Sequence, residues 1–397
     1  MLVTLDSITT KITKGTTPTS VGCTFENSGV NFIKSESLGN SRNIDRSKFA
    51  FISEQTHEKL KRSQIEKNDI LFSMAGMFLG KTGIVTDDLV PANTNQAVAI
   101  IRIDTEKANH EYVYYYLNQR SVVQAVNASS AQSAQPNINL KQIGQIEIDL
   151  PERKLQDKIV SILSAIDFKI EKNNQINENL EQQAQSYFQE LFVDNADPEW
   201  TTGTISDLGI VVGGSTPSKA KPEYYTETGI AWITPKDLSI NKSKFVFHGE
   251  NDITELGLKN SSAVIMPEGT VLFSSRAPIG YIAIATDEVT TNQGFKSVVP
   301  KQEIGTPFVY FFLKNTLPVI EGMASGSTFK EVSGSTMKKV PAVIPDAETL
   351  AKFNNFCAPI FAEQRILEEQ NQSLAILRDN LLPKLMSGEI DVSDVQL

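Results

Sequence analysis

Hydrophobic and polar positions repeat along this chain in two alternating regimes, and each regime occurs twice. Short apolar runs of β type are separated by turns rich in Gly, Pro, Asn and Asp. They are "VNFI", "GIVT" and "AVAIIRI" in the first 150 residues, and "GIAWIT", "VLFSS" and "YIAIA" after residue 196. Such runs predict strands. One helical pattern interrupts each set, at "HEYVYYYLNQRSVVQAV" and at "PFVYFFLKNTLPVI". Each set then gives way to a long helical stretch that opens at a proline, Pro151 or Pro345. Proline suits a first helical position. The first of these stretches runs for about forty residues without Gly or another Pro.

In that first long stretch Leu155, Ile159, Ile162, Ile166, Ile176, Leu180 and Tyr187 follow alternating steps of three and four, with Asn173 on the same seam. In the second, Phe353, Phe356, Ile360, Leu367, Leu374, Leu377 and Leu381 occupy the equivalent seam, all but Leu377 at a constant offset of 194. A forty-residue helix spans about 60 Å, far more than a small domain needs. Narrow apolar seams with polar outer faces ("EKNNQINENLEQQAQ", "EEQNQSLAILRDN") predict that the two helices pair as an antiparallel coiled coil. The competing expectation is a core helix buried in each domain.

The repetition extends to short motifs. "KGTTPTS" (14–20) is echoed by "GGSTPSK" (213–219), and "DILFSMAGMFLGKTGIV" (69–85) by "GTVLFSSRAPIGYIAIA" (269–285). "NTNQAV" (93–98) answers to "TTNQGF" (290–295), and "YVYYYLNQ" (112–119) to "FVYFFLKN" (308–315). The expected fold is therefore α+β, with a pseudo-twofold internal repeat. Residues 1–150 and 196–345 form two tandem globular blocks, and residues 151–195 and 346–397 supply two spacer helices.

Within "SMAGMFLGKTG" (73–83), Ala75, four residues and Gly80-Lys81-Thr82 mimic a phosphate-cradling loop. The repeat argues against that reading, because the counterpart "RAPIGYIA" keeps the glycine but has Tyr281 where the lysine would stand. The residues after Lys81 are rich in β-branched side chains and run to Pro91, so no helix is expected there to offer its N-terminus to an anion. A strand, a glycine turn and a strand are expected instead.

Composition narrows the class. Two cysteines, Cys23 and Cys357, and three unrelated histidines, His57, His110 and His248, offer no metal-ligand spacing and suit a reducing cytoplasm. No run of eighteen apolar residues occurs, so no membrane-spanning helix is expected, and the N-terminus lacks the pattern of a secretory signal. The net charge is −10, but the acidic excess falls mostly in the two spacer stretches. The globular blocks are nearly neutral, so each is free to carry a basic face.

With two α+β blocks, two long helices and the ending "LRDNLLPKLMSGEI", the chain resembles the specificity subunit of a type I restriction–modification system. Leu382 to Ile390 match the ending of that family, and "GSTPS" (214–218) and "SSRAPIG" (274–280) match its target-recognition domains. The first half departs from the pattern, with Thr17-Pro18-Thr19 and with no arginine in "SMAGMFLG" to answer Arg276. The resemblance implies two α/β target-recognition domains, each reading one part of a bipartite, asymmetric site in double-stranded DNA, with the helices as a ruler between them. It implies two adenine methyltransferase (M) subunits and restriction (R) subunits as partners. S-adenosylmethionine, ATP and magnesium would then sit on those partners and no cofactor or catalysis would belong to this chain. Two other classes remain as alternatives, a P-loop nucleotide hydrolase and a coiled-coil adaptor with no DNA role.

Two halves that read different sequences cannot discriminate with residues they share. The repeated Gly-Thr/Ser-Thr-Pro turns and the pairs Asn95-Gln96 and Asn292-Gln293 are therefore expected to be architecture. Discrimination is expected in the stretches that do not align, 32–49, 127–141, 234–248 and 321–339, which combine Lys and Arg with Asn, Gln and Ser. The candidate DNA-contacting residues are Lys34, Arg42, Arg46, Lys48, Lys81, Asn137, Lys236, Lys242, Lys244, Arg276 and Lys330. The candidates for helix pairing are Ile159, Ile162, Ile166, Leu180, Phe353, Phe356, Leu367, Leu374 and Leu381.

Overall fold

A computed structural model describes residues 1–39, 42–130, 137–326 and 330–395. The chain forms two compact units, Met1–Ile170 with Ser373–Leu397, and Glu171–Gln372. Each unit thus combines one globular block with parts of both long helices.

In the first unit an antiparallel sheet runs in the order Thr9–Lys14, Val98–Ile103, Ile70–Ser73, Thr82–Ile84. Alternation along its central strands sends side chains to two different cores. Ile70, Phe72, Ala99 and Ile101 join Tyr112, Val113 and the helices. Leu71, Val98 and Ile100 join Ile33, Ile65 and Ala92 on the other face. The second core is closed by a mixed sheet in the order Ala50–Ile52, Val30–Ile33, Ala92–Thr94, Gln64–Ile65. Period-two patterning buried on both faces explains why these strands read as continuous apolar runs.

The second unit repeats this plan. Val271, Phe273 and Val298 face the helices, while Leu272, Ala283 and Ala285 face Ile233 and Val246. Its main sheet carries a fifth strand, Phe245–Val246, paired in parallel with Ile279–Ala285.

The helical pattern after these sheets behaves differently in the two units. The second contains one helix, Thr306–Gly322. In the first the expected single helix is two, His110–Leu117 and Arg120–Ser130. Asn118 accounts for the break: its side-chain amide donates to the Tyr114 carbonyl at 2.7 Å and to Thr82 Oγ1 at 2.6 Å, satisfying a helix-end carbonyl from outside the backbone ladder. The repeat places Lys314 at the same position of "FVYFFLKN", and there the helix continues.

The central helix spans Arg153–Gln189 and ends in a π-helical turn, Glu190–Asp194. The C-terminal helix spans Ala347–Met386. They run antiparallel within each unit. In the second unit, Asn173 Nδ2 donates to Asn371 Oδ1 at 2.9 Å, Gln364 Nε2 to the Asn177 carbonyl at 3.1 Å, and Tyr187 packs on Phe353 and Phe356. In the first, Asp167 pairs with Arg378 at 2.9 Å, and Ile159 and Leu163 share a core with Leu382 and Leu385.

Buried and half-buried positions fall on two rows of period seven, one more than the apolar spacing shows. One row, Ile159, Ile166, Asn173, Leu180 and Tyr187, repeats as Phe353, Ile360, Leu367, Leu374 and Leu381. The other, Gln156, Leu163, Ile170, Asn177 and Ala184, repeats as Leu350, Cys357, Gln364, Asn371 and Arg378. Among the pairing candidates, Ile159, Phe353 and Leu367 are buried, and Ile162, Ile166, Leu180, Leu374 and Leu381 are half-buried. Phe356 departs from the expected seam: it is 40% exposed and packs on Tyr187 from the rim, with ring centroids 4.5 Å apart. Ile176 and Leu377 lie off both rows and are exposed.

The tail "LLPKLMSGEI" is a helix stop inserted into the first unit's core. Gly388 takes φ of 75°, its N–H donates to the Leu385 carbonyl, and the Ile390 N–H donates to that of Lys384. Such a left-handed glycine end closes a helix and turns the following apolar residue back onto it. Leu382, Leu385, Met386 and Val392 are buried, and Ile390 packs beside them.

Candidate nucleic-acid interface

The shared turns are built identically in the two units. A Cβ on Gly15 would fall 2.0 Å from the Thr94 carbonyl oxygen, and one on Gly214 would fall 2.0 Å from that of Asn292. Glycine is needed there because one turn presses on the backbone of the other. Thr16 N–H donates to the Thr94 carbonyl and Ser215 N–H to that of Thr291, each at 2.9 Å. Asn95 Oδ1 accepts from Ala97 N–H at 3.1 Å, and Asn292 Oδ1 from Gly294 N–H at 2.8 Å, so both asparagines close their own turns. Thr17 Oγ1 donates to Gln96 Oε1 and Thr216 Oγ1 to Gln293 Oε1. Equal geometry at equivalent places is framework, and it leaves the two glutamines exposed.

Beside this framework lies the glycine turn of each main sheet. In the first unit Ile70–Ser73 pairs with Thr82–Ile84, and among the described residues no helix begins directly after Lys81. Strand, turn and strand therefore replace the nucleotide loop, and the hydrolase alternative falls with it. Lys81 is half-buried with its ammonium 5.5 Å over the Phe78 ring. A later segment is stitched to the turn in both units. Ile138 N–H donates to the Met74 carbonyl at 2.9 Å, and Val332 N–H to that of Ser275 at 3.0 Å. This brings Asn137, exposed and bridged to Ala75, next to the first turn.

In the second unit the same junction is charged. Arg276 Nη1 stands 3.5 Å from Glu331, Lys296 Nζ 3.9 Å from the same carboxylate, and Lys330 beside them is exposed. A cavity of about 600 Å³ opens between Arg276, Ile279, Glu321, Lys330 and Glu331. Burial lowers the pKa of the Lys296 ammonium and Glu331 pulls it back. Lys296 and Glu331 are absent from the sequence-based candidates because those favour bases in polar, turn-rich stretches. The strand position of Lys296, within "GFKSVV", marks it as half-buried.

Two candidates are elsewhere. Lys244 is buried, and its ammonium bonds Glu181 Oε2 and Gln364 Oε1, both at 2.8 Å, while lying 3.4 Å from the Phe361 ring centroid. Lys314 and the Tyr310 hydroxyl also donate to Glu181. A lysine so enclosed cannot reach a phosphate. Arg42 has the same role in the first unit: its carbonyl accepts from Ile84 N–H as that of Lys244 does from Ile284 N–H. Its guanidinium pairs with Glu111 and lies 5.0 Å from the Phe168 ring on the central helix. Both cations bolt a sheet edge to the helices. Burial alone would raise the Glu181 pKa, but Lys244 and Lys314 outweigh it and hold the carboxyl at about 2.

The remaining candidates are at the surface of their own units. Lys34 is close to Glu36 and Phe25, Arg46 pairs with Asp88, and Lys236 pairs with Glu250 at 2.6 Å. Lys48 and Lys242 are exposed. The parts of the non-aligning stretches at 40–41, 131–136 and 327–329 lie outside the described residues. Among the described residues no cluster of ligands could hold a metal, and no helix is long and apolar enough to cross a membrane.

A sequence model of the type I restriction modification DNA specificity domain matches residues 1–182 and again 198–375. The chain belongs to this family. Its two matched segments are the two halves of the internal repeat, so the duplication is a duplication of the specificity domain. Membership also removes the reading as an adaptor with no DNA role. Among relatives, the type I restriction enzyme MjaIX specificity subunit of Methanocaldococcus jannaschii is 41% identical over 167 residues, which cover 42% of this chain and 38% of that protein. The HindI specificity subunit of Haemophilus influenzae is 24% identical over 406 residues, covering 83% of this chain and 88% of its own length. A crystal structure of a type I restriction–modification S subunit from M. genitalium covers 97% of this chain at a TM-score of 0.58 and 17% identity, which shows a shared fold.

Proposed function

We propose that this chain is the DNA-reading specificity subunit of a type I restriction–modification complex. Each of its two specificity domains recognises one part of a bipartite, asymmetric duplex site. The observation that carries this reading is the contrast between the two glycine-turn junctions. On one repeated framework the first domain presents Ala75 and Asn137, and the second presents Arg276 and Glu331. Two domains with one scaffold and different reading edges suit two different half-sites. Lys34, Arg46, Lys48, Lys81, Lys236, Lys242 and Lys330 are proposed as phosphate contacts, whose role is to position rather than to specify.

The chain itself catalyses nothing. Two adenine methyltransferase subunits bind it in the cytoplasm and supply the S-adenosylmethionine chemistry, and restriction subunits bring ATP and magnesium. The test is to express the chain with its methyltransferase and to map methylated adenines across the host genome. A bipartite motif that appears only when both proteins are present is the expected result. Methylation by the isolated chain, or a motif unchanged by its deletion, would overturn the proposal.

A further inference from the structure

Resting on that functional reading, we propose that Glu331 is a specificity-determining residue of the second domain. Its carboxylate accepts a hydrogen bond from the N4 amine of a cytosine in that domain's half-site, and Arg276 and Lys296 position it. The junction between the glycine turn and the later segment has the same backbone bond in both domains, made by Ile138 or by Val332. The residue just before that bond differs: it is Asn137 in the first domain and Glu331 in the second. One backbone position with two different polar side chains is what two different half-sites require. Arg276, by contrast, belongs to the motif shared with the family's target-recognition domains, so it is framework and does not discriminate.

The neighbours change together with this residue. At the positions equivalent to Arg276 and Lys296 the first domain has Ala75 and Ala99. The glutamate is thus accompanied by two cations, and the uncharged asparagine by two alanines. Arg276 Nη1 is 3.5 Å from Oε2 of Glu331, and Lys296 Nζ is 3.9 Å from Oε1, so one cation faces each oxygen. Both contacts are longer than a strong charge-assisted hydrogen bond, which leaves acceptor capacity on each oxygen. The backbone is fixed as well: Glu331 N–H donates to the Ser325 carbonyl at 2.9 Å, and Ser325 N–H donates back at 3.1 Å. The side chain is 39% exposed and lines the cavity of about 600 Å³ beside Ile279 and Lys330. An ionised carboxylate only accepts hydrogen bonds, and the cytosine amine is its usual base partner in the major groove. Phosphates would repel it if it stood alone, and the two cations offset that repulsion.

The experiment uses the complex of the whole chain with its methyltransferase. Binding is measured to duplexes in which each base pair of the wild-type motif is replaced in turn. For the wild type, replacing one G·C pair in one half-site should weaken binding by about 5- to 100-fold, the usual cost of a mismatched pair. Glu331→Ala should remove that difference at this pair alone, leaving the other half-site and the spacer read as before. Glu331→Gln is nearly the same size and guards against a folding defect. Glutamine pairs with adenine, so this variant should move the preference at that one pair from cytosine towards adenine. A carboxylate with only a structural role would yield no new preference. Arg276→Ala and Lys296→Ala, which install the first domain's residues, should each weaken the same preference and no other. The inference is overturned if the half-site contains no G·C pair. It is equally overturned if Glu331→Ala and Glu331→Gln leave every preference intact, or if Glu331→Gln relaxes the whole half-site with no new preference at one pair. A wild-type complex that prefers no sequence would refute the specificity function instead.

Discussion

A lysine in a polar, turn-rich stretch is usually a solvated charge, and Lys244 shows what overrides that rule. It sits one residue before the strand Phe245–Val246 and turns to the helices as Phe245 does, whereas Val246 joins the opposite core, so the strand period does not announce its burial. Removing Glu181 would leave this ammonium buried with Gln364 as its remaining side-chain hydrogen-bond acceptor, and Glu181→Ala should lower stability by about 3–5 kcal/mol in chemical denaturation. The direction of the shift sets the pH dependence. The Glu181 carboxyl is held at about 2 in the fold against an ordinary value of 4.5, so its contribution is full above that ordinary value and fades as pH falls towards 2. The stability gap between wild type and Glu181→Gln should therefore be widest near neutrality and close progressively in acid. A gap that stays constant from pH 7 to 3 would refute the account. In DNA binding the contrast is with Lys330: Lys330→Ala should flatten the salt dependence by about one unit, and Lys244→Ala should leave it unchanged. The framework glycines make a simpler case. Gly15→Ala and Gly214→Ala each force a methyl group onto a carbonyl oxygen, and each should lose at least about 1–3 kcal/mol in thermal melts.

Among the elements, the strands are legible in the sequence because alternation and turn residues agree, and the hairpin at 70–84 is legible because its repeat at 271–285 lacks the lysine. The second row of the helix pair is not. Its members Gln156, Asn177, Ala184, Gln364, Asn371 and Arg378 are polar or small, so a search for apolar spacing passes over them. Several are held by hydrogen bonds rather than by hydrophobicity: Gln364 bonds Lys244 and the Asn177 carbonyl, Arg378 pairs with Asp167, and Asn371 bonds Asn173 and Asn174. A buried amide pair sets register at some expense in stability. Asn173→Ala alone should cost about 1–3 kcal/mol, because it leaves Asn371 short of a partner. Asn173→Leu with Asn371→Leu should be near neutral or stabilising, and a double-mutant cycle with calorimetry distinguishes the two outcomes. The DNA-facing candidates are half legible. The non-aligning stretches do reach the Arg276 junction through Lys330 and Glu331, yet they also contain Arg42 and Lys244, and composition alone does not separate a cation that faces solvent from one that faces a helix.

At the scale of the whole molecule the repeat gives two specificity domains and two helices with matching seven-residue rows, which suggests a direct test of whether helix length sets the spacing of the DNA site. An insertion of four residues in one helix would shift its rows against those of its partner, whereas seven residues restore both rows. Seven residues inserted after Asn174 in the central helix, and seven more after Glu368, the position 194 residues later, lengthen both helices by about 10 Å. At 3.4 Å per base pair that corresponds to roughly three base pairs of DNA. Adenine methylation by the lengthened chain with its methyltransferase should move to a motif whose two half-sequences are unchanged and whose spacer is about three base pairs longer. Methylation scored on duplexes with spacers from one base pair shorter to five longer would reveal the shift as a displaced optimum. An active variant that keeps the original spacer would show that the helices do not measure distance. An altered half-sequence would show instead that the insertion reached the reading edges, which the division of roles between framework, junction and helix forbids.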